Sequence, residues 1–200
     1  MYSENKVELK HEFPNNSLIL SSTLKGIKMD GDGLDGLRNK IGLNQLKSVD
    51  YIIIHTNNDI SFIEFSDLLS QINHLKKDSN RIYDIIQSVV RDYIKIELQS
   101  DDSFLTRKDI SKITKRCISI IGNELTTKFK DTYLILKCHS DKNDIKNLKY
   151  FIVFNDLITS DVVMLDLIRS NIVSSIPNKL CLPNNIIFKS LSQFNVQMKL

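Results

Sequence analysis

The sequence contains no tryptophan and few of the residues that interrupt or cross-link a chain. Its 200 residues include three prolines, six glycines and three cysteines. The cysteines, Cys117, Cys138 and Cys181, are odd in number and widely spaced, with no Cys-x-x-Cys pair and no closely spaced histidines beside them. This spacing argues against a disulfide framework and a zinc site, and it predicts reduced, buried thiols.

Long hydrophobic runs are also missing. Apolar stretches such as Tyr51–Ile54 are far shorter than the roughly 20 residues that a membrane-spanning helix needs. The first ten residues, Met1–Lys10, are polar and charged and do not resemble a signal peptide. We therefore expect a cytoplasmic protein with no membrane segment.

Neither sign of charge is in large excess. The 27 basic and 24 acidic residues give a formal net charge of +3, which permits nucleic-acid binding without arguing for it. Hydrophobic residues make up 42% of the chain and charged residues 26%, as in ordinary globular proteins. With no linker or internal repeat to divide it, residues 1–200 are predicted to form one domain.

The strongest local pattern lies between Val49 and Phe65. Two runs of β-branched and aromatic residues, Val49–Ile54 and Ile60–Phe65, flank the turn-forming residues Asn57, Asn58 and Asp59. This order predicts a β-hairpin. Because nearly every position in both runs is apolar, we expect these strands to lie in the centre of the sheet and to be covered on both faces.

The rest of the chain alternates between helical and strand-like patterns. Apolar residues at helical spacing predict four helices. The first begins near Ser66 or Asp67, and the others cover 81–98, 108–130 and 160–174. The third helix has the inward-facing set Ile110, Ile113, Cys117, Ile120, Ile121, Leu125 and Phe129. Further strands are predicted over 17–28, 132–138 and 149–155, with an edge strand within 185–200. The predicted fold is mixed α/β, with a central mixed sheet that contains hairpin 49–65 and is flanked by helices.

Two carboxylates stand near the open end of the predicted hairpin. Asp50 is at the start of one arm and Glu64 at the end of the other, so a turn near Asn58 brings them toward the same edge. Mg²⁺ prefers hard oxygen ligands and often binds through one or two carboxylates plus water and phosphate oxygens. Asp50 and Glu64 are therefore candidate catalytic and magnesium-binding residues.

These segments, Val49–Ile53 and Phe62–Ser66, resemble the core of the PD-(D/E)XK nuclease superfamily. In that superfamily an aspartate opens the second core strand, the third core strand ends in Glu-x-Lys, and a helix follows. The resemblance covers about residues 17–140. It implies a Mg²⁺-dependent nuclease core with Asp50 and Glu64 as its acidic residues.

The chain departs from that motif at the lysine. Ser66 occupies the corresponding position, and a hydroxyl does not stabilise an anionic transition state as an ammonium does. Some members of the superfamily take the basic group from the following helix. The candidates here are Lys76, Lys77, Lys112, Lys115 and Lys128, and the spacing does not choose among them.

Structural roles for the two acids are the alternative. Asp50 can accept a hydrogen bond from a nearby backbone amide, and Glu64 can pair with a surface lysine. Against that alternative, Glu64 lies between Ile63 and Phe65 in an apolar strand, where an unpaired carboxylate is costly.

Two functions from different classes follow. The first is a nucleic-acid-associated protein with a nuclease-like core, either active or degenerate, in prokaryotic or phage defence or counter-defence. The second is a non-enzymatic protein-interaction module, such as an immunity protein or inhibitor, whose partner is a protein. The paired acids favour the first function and the missing lysine favours the second, so the sequence leaves open whether the chain is an enzyme.

Overall fold

The structure is a computed structural model. It describes residues 6–11, 13, 24–31, 36–68, 70–75, 77, 107–139, 147–155 and 162–198. The strands are β1 (Lys6–Glu8), β2 (Lys25–Lys28), β3 (Tyr51–Ile54), β4 (Ile60–Phe65), β5 (Leu148–Phe154) and β6 (Ile186–Ser190). The helices are α1 (Leu37–Lys40), α2 (Arg107–His139), α3 (Val162–Ser175) and α4 (Leu191–Met198), and residues 70–75 are also helical.

The six strands form one mixed sheet in the order β1-β2-β3-β4-β5-β6. The first four strands pair antiparallel, whereas β4, β5 and β6 are parallel to one another. Parallel neighbours need long connections, and here α2 lies between β4 and β5 in the chain while α3 lies between β5 and β6. The predicted mixed α/β fold is therefore confirmed.

Hairpin 49–65 lies in the middle of this sheet. Phe62 faces α2, with its ring centroid 5.5 Å from that of Phe129. The next residue, Ile63, faces the opposite side and packs in a cluster with Phe151 and with Phe194 of α4. Because side chains alternate along a strand, this arrangement covers both faces of β4, as the apolar pattern predicts.

The predicted strand over Thr132–Cys138 is wrong, because α2 continues as far as His139. Thr132, Ile135 and Leu136 are buried, whereas the Leu134 side chain between them is 50% exposed. Buried positions three and four residues apart belong to a helix. The run is too short for its own pattern to separate helix from strand, and the buried contacts of α2 decide the outcome.

Two side chains on α2 are exposed where the sequence predicts burial. Ile120 is 46% exposed, and the neighbouring Ile118 is buried in its place. All three cysteines are free, but Cys138 is exposed while Cys117 and Cys181 are buried. The prediction of buried thiols is therefore wrong for Cys138, which lies in the segment mistaken for a strand.

Other predicted elements are confirmed where the structure describes them. Asp67 caps the helical segment 70–75, since its Oδ1 accepts the backbone N–H of Ser70 at 3.2 Å. The edge strand in the C-terminal tail is β6. Of the predicted strand 17–28, the structure describes residues 24–28, and all of these except Leu24 form β2. The predicted helix 81–98 lies outside the described residues. Within the described ranges, no helix is long and apolar enough to cross a membrane.

We expect Leu125→Ala to lower the free energy of unfolding by about 2–5 kcal/mol, because it truncates a fully packed aliphatic side chain. Leu125 lies on α2 and is 2% exposed. Leu134→Ala on the same helix is the matched control, and its effect should stay within about 0.5 kcal/mol. Equal midpoints for the two variants in urea denaturation would show that α2 does not pack on the sheet through Leu125.

Candidate functional site

The hairpin register places the two predicted acids side by side. Tyr51 on β3 pairs with Ile63 on β4, so the next pair toward the open end is Asp50 and Glu64. Asp50 directly precedes β3, and Glu64 is the penultimate residue of β4. The structure thus brings together the two carboxylates that the sequence predicts to approach each other.

Glu64 is buried in the apolar layer between the sheet and α2. It is 2% exposed, and it lies on the same face of β4 as Ile60 and Phe62, because side chains two apart share a face. Removing a carboxylate from water is costly unless it gains partners or takes up a proton. The position therefore requires a compensating group nearby.

Lys128 on α2 supplies that group. Its Nζ donates a hydrogen bond to Oε1 of Glu64 at 2.6 Å, and the side chains of Lys128 and Glu64 are 20% and 3% exposed. Lys77, Lys112 and Lys115, three other lysines considered as replacements for the motif lysine, are exposed, and Lys76 lies outside the described residues. The tertiary structure thus places the ammonium of Lys128, 64 residues further along the chain, at the glutamate.

The position of Lys128 on α2 can be recognised from helical spacing. Ile121, Leu125 and Thr132 are all buried on α2. Lys128 follows Leu125 by three residues and precedes Thr132 by four, so it shares their face of the helix. A lysine within such an inward-facing row indicates a buried ion pair, a signal that was missed among the candidate lysines.

The second carboxylate oxygen of Glu64 has no such partner. Oε2 is buried and makes no hydrogen bond with any described residue. Buried polar atoms in native proteins are nearly always hydrogen-bonded. Oε2 is therefore a position where a water molecule or a cation would complete the coordination of the carboxylate.

Burial and the nearby charges together set the pKa of Glu64. Burial raises the pKa of Glu64 well above its ordinary value, the negative charge of Asp50 raises it further, and Lys128 opposes both. Burial lowers the pKa of Lys128, but the charges of Glu64, Asp50 and Glu124 outweigh burial and raise it. Asp50 and Glu64 thus place two negative charges near the one ammonium of Lys128, so the site favours bound protons or another cation.

Asp50 is held by the backbone of the neighbouring strand. Its Oδ2 accepts the N–H of Phe65 at 2.6 Å, which is the structural role that the sequence analysis considered as an alternative. Ser66, at the place of the motif lysine, is buried and donates its hydroxyl to Oε1 of Gln71 at 3.3 Å. Ser66 therefore joins β4 to the following helical segment and adds no charge to the site.

Asp50 also lines a cavity of about 260 Å³ at this end of the sheet. The other charged residues in its wall are Lys10, Lys28 and Asp30. Neither lysine could be recognised from the sequence, because an isolated lysine near a strand end has no distinguishing pattern. The cavity joins residues that are far apart in the chain but meet where β2, β3 and β4 lie side by side.

The donor set at Asp50 and Glu64 fits a hard divalent cation. It consists of carboxylate oxygens, which Mg²⁺ prefers, and it includes the unpartnered Oε2 of Glu64. In the part of the chain that the structure describes, no group of three or more His, Cys, Asp and Glu side chains is arranged to hold a metal ion. A cation here would depend on these two carboxylates plus water and substrate oxygens.

Comparison of the chain with known proteins finds no similar protein. No protein-family model, no curated protein and no solved structure matches the chain. Its function is therefore argued from the arrangement of Asp50, Glu64 and Lys128.

Proposed function

We propose that the protein is a nucleic-acid-associated protein with a nuclease-like core that hydrolyses phosphodiester bonds with Mg²⁺. The observation that carries the proposal is the buried Glu64, which stands opposite Asp50 and is bound by the ammonium of Lys128. A buried ion pair contributes little net stability compared with an apolar pair. Ionisable groups with shifted pKa values that cluster at one site are typical of functional sites.

The order of elements supports the resemblance to the PD-(D/E)XK superfamily. β2, β3 and β4 follow one another as antiparallel neighbours, and a helical segment follows β4. Asp50 directly precedes the second of these strands, and Glu64 is near the end of the third. Lys128 provides a basic group from a later helix where the motif lysine is replaced by Ser66.

Each residue has a distinct role in the proposed reaction. Asp50 and Glu64 would hold the cation through carboxylate oxygens, and Mg²⁺, when bound, polarises a phosphoryl oxygen as a Lewis acid. Lys128 supplies a positive charge that stabilises the negative charge developing on the phosphoryl group. The oxygen of a water molecule attacks phosphorus and that water releases a proton. The bond to one ester oxygen breaks, and the departing oxygen takes up a proton, so that one water is consumed and an alcohol and a phosphomonoester are formed.

The non-enzymatic interaction module is the second candidate. The observation that favours it is that both acids already have structural partners, since Lys128 binds Oε1 of Glu64 and the N–H of Phe65 binds Oδ2 of Asp50. In this account the ion pair only compensates for the burial of Glu64. The interaction module requires neither cation binding nor cleavage.

Assays of the parent protein separate the two candidates. Single-stranded DNA, double-stranded DNA and RNA are incubated with the protein in Mg²⁺, in Mn²⁺ and in EDTA, and melting temperatures are measured in the same buffers. The nuclease proposal expects cleavage of at least one substrate that stops in EDTA, together with a higher melting temperature in the cation. If neither appears with any substrate, the interaction module is the better account.

A further inference from the structure

On the side of β1 and β2, the wall of the cavity beside Asp50 is formed by Lys10 and Lys28. Lys28 pairs with Tyr51 in the register of β2 and β3, so the two side chains share a face of the sheet. The hydroxyl of Tyr51 accepts the backbone N–H of Lys10 at 3.2 Å. Tyr51 thereby holds the backbone of Lys10 at the same cavity wall as Lys28.

Lys10 and Lys28 are the basic groups of this wall. Neither Lys10 nor Lys28 forms an ion pair with a described residue, whereas Asp30 is paired with Arg38 at 2.7 Å. Lys10 is exposed and Lys28 is half-buried, so both are accessible to a ligand. The wall holds two lysines, Lys10 and Lys28, and two acids, Asp30 and Asp50, and the charge of Asp30 is already balanced by Arg38.

The size of the cavity suits a small anionic group. At about 260 Å³, it lies just below the usual range of ligand pockets, roughly 300–1,000 Å³. Its remaining wall includes Tyr51 and Phe65. Two lysines in the wall of such a cavity suit a phosphate group, which Lys binds as a point charge.

We propose that Lys10 and Lys28 form a phosphate subsite. It binds the backbone of a nucleic-acid strand next to the phosphodiester bond that is cleaved at Asp50. This inference rests on the proposed function, because it names the substrate that the same site receives. Asp50 belongs to both places, since it pairs with Glu64 in the hairpin and lines the cavity. A strand seated on the two lysines therefore passes beside Asp50.

The test measures binding of labelled single-stranded DNA and RNA oligonucleotides in EDTA by fluorescence anisotropy. Lys28→Gln and Lys10→Gln should each weaken binding about tenfold, as expected for losing one hydrogen bond to a charged group. The slope of log affinity against log salt should fall by about 0.7 for each lysine removed. Similar losses with DNA and RNA would identify the shared phosphate backbone as the ligand.

Lys25→Gln is the matched control, because Lys25 is exposed on the same strand as Lys28 and does not line the cavity. It should bind like the parent protein, and the melting temperatures of all three variants should remain near that of the parent. The proposal is overturned if the parent does not bind either oligonucleotide, or if Lys28→Gln and Lys10→Gln bind as tightly as Lys25→Gln. Competition by inorganic phosphate at far lower concentration than the oligonucleotide would also overturn it, because the ligand would then be free phosphate.

The outcome for the subsite is independent of cleavage. Lysine-dependent binding in EDTA without any cleavage in Mg²⁺ would support the subsite and contradict the nuclease proposal. Metal-dependent cleavage with binding that does not depend on either lysine would support the nuclease proposal and contradict the subsite.

Discussion

Replacing Lys128 with methionine is expected to lower the free energy of unfolding by about 3 kcal/mol at neutral pH. Removing one partner of a buried ion pair costs about 3–5 kcal/mol, because the other charge is left uncompensated. The lower end applies because the Lys128 side chain is 20% exposed and Glu64 remains able to take up a proton. Thermal and urea denaturation measure the change.

The cost of Lys128→Met should depend on pH. The pKa of Glu64 is raised above its ordinary value of 4.5 in the folded protein. The stability from proton binding at Glu64 is therefore complete below that ordinary value and is lost as the pH rises through the raised pKa. Without Lys128 the pKa of Glu64 rises further. The free energy of unfolding of the variant should therefore approach that of the parent at about pH 4 and fall increasingly below it toward about pH 8.

Lys130→Met is the control for the loss of a lysine on α2, since Lys130 is exposed two residues away. It should leave stability within about 0.5 kcal/mol of the parent at either pH. The double variant Glu64→Gln, Lys128→Met removes both charges and should recover part of the loss at neutral pH. A Lys128→Met protein as stable as Lys130→Met would mean that the ion pair does not compensate for the burial of Glu64.

Asp50→Asn and Glu64→Gln should each reduce metal-dependent cleavage by about 100-fold or more. Both changes keep the shape of the side chain and remove the charge that a cation needs. A bound metal contributes several kcal/mol to transition-state stabilisation, and each 1.36 kcal/mol corresponds to a factor of ten in rate. Initial rates with the substrate found for the parent protein measure the loss.

The same two variants should lose the stabilisation by Mg²⁺. In the parent protein, a cation at 100 times its dissociation constant stabilises the fold by about 2.7 kcal/mol. Glu124→Gln is the matched control, because Glu124 is an exposed acid on α2 whose charge also raises the pKa of Glu64. It should keep both cleavage and the response to Mg²⁺. Undiminished cleavage in Asp50→Asn and Glu64→Gln would place the reaction elsewhere.

The hairpin and its pair of acids were determined by neighbouring residues. Asn58 adopts φ of 66°, a conformation that asparagine tolerates better than most residues, and the backbone N–H of His55 bonds to the carbonyl of Asp59 at 2.9 Å. Once this local turn fixes the register, Asp50 must stand opposite Glu64. The apolar character of both arms then requires cover on both faces, so the sequence also predicts the central place of the hairpin.

The helical state of residues 132–138 and the identity of the basic group depended on contacts between distant parts of the chain. Four apolar or aromatic residues in a row are compatible with a strand, and only the burial of Thr132, Ile135 and Leu136 on one face of α2 made the segment helical. Lys128 reaches Glu64 because α2 packs across the sheet, and Lys28 reaches the cavity because β2 pairs with β3. The sequence by itself determined the hairpin and the meeting of its two acids, because turn formation and strand alternation act over a few residues. The tertiary structure alone decided which lysines join those acids, because that choice depends on how separate elements pack together.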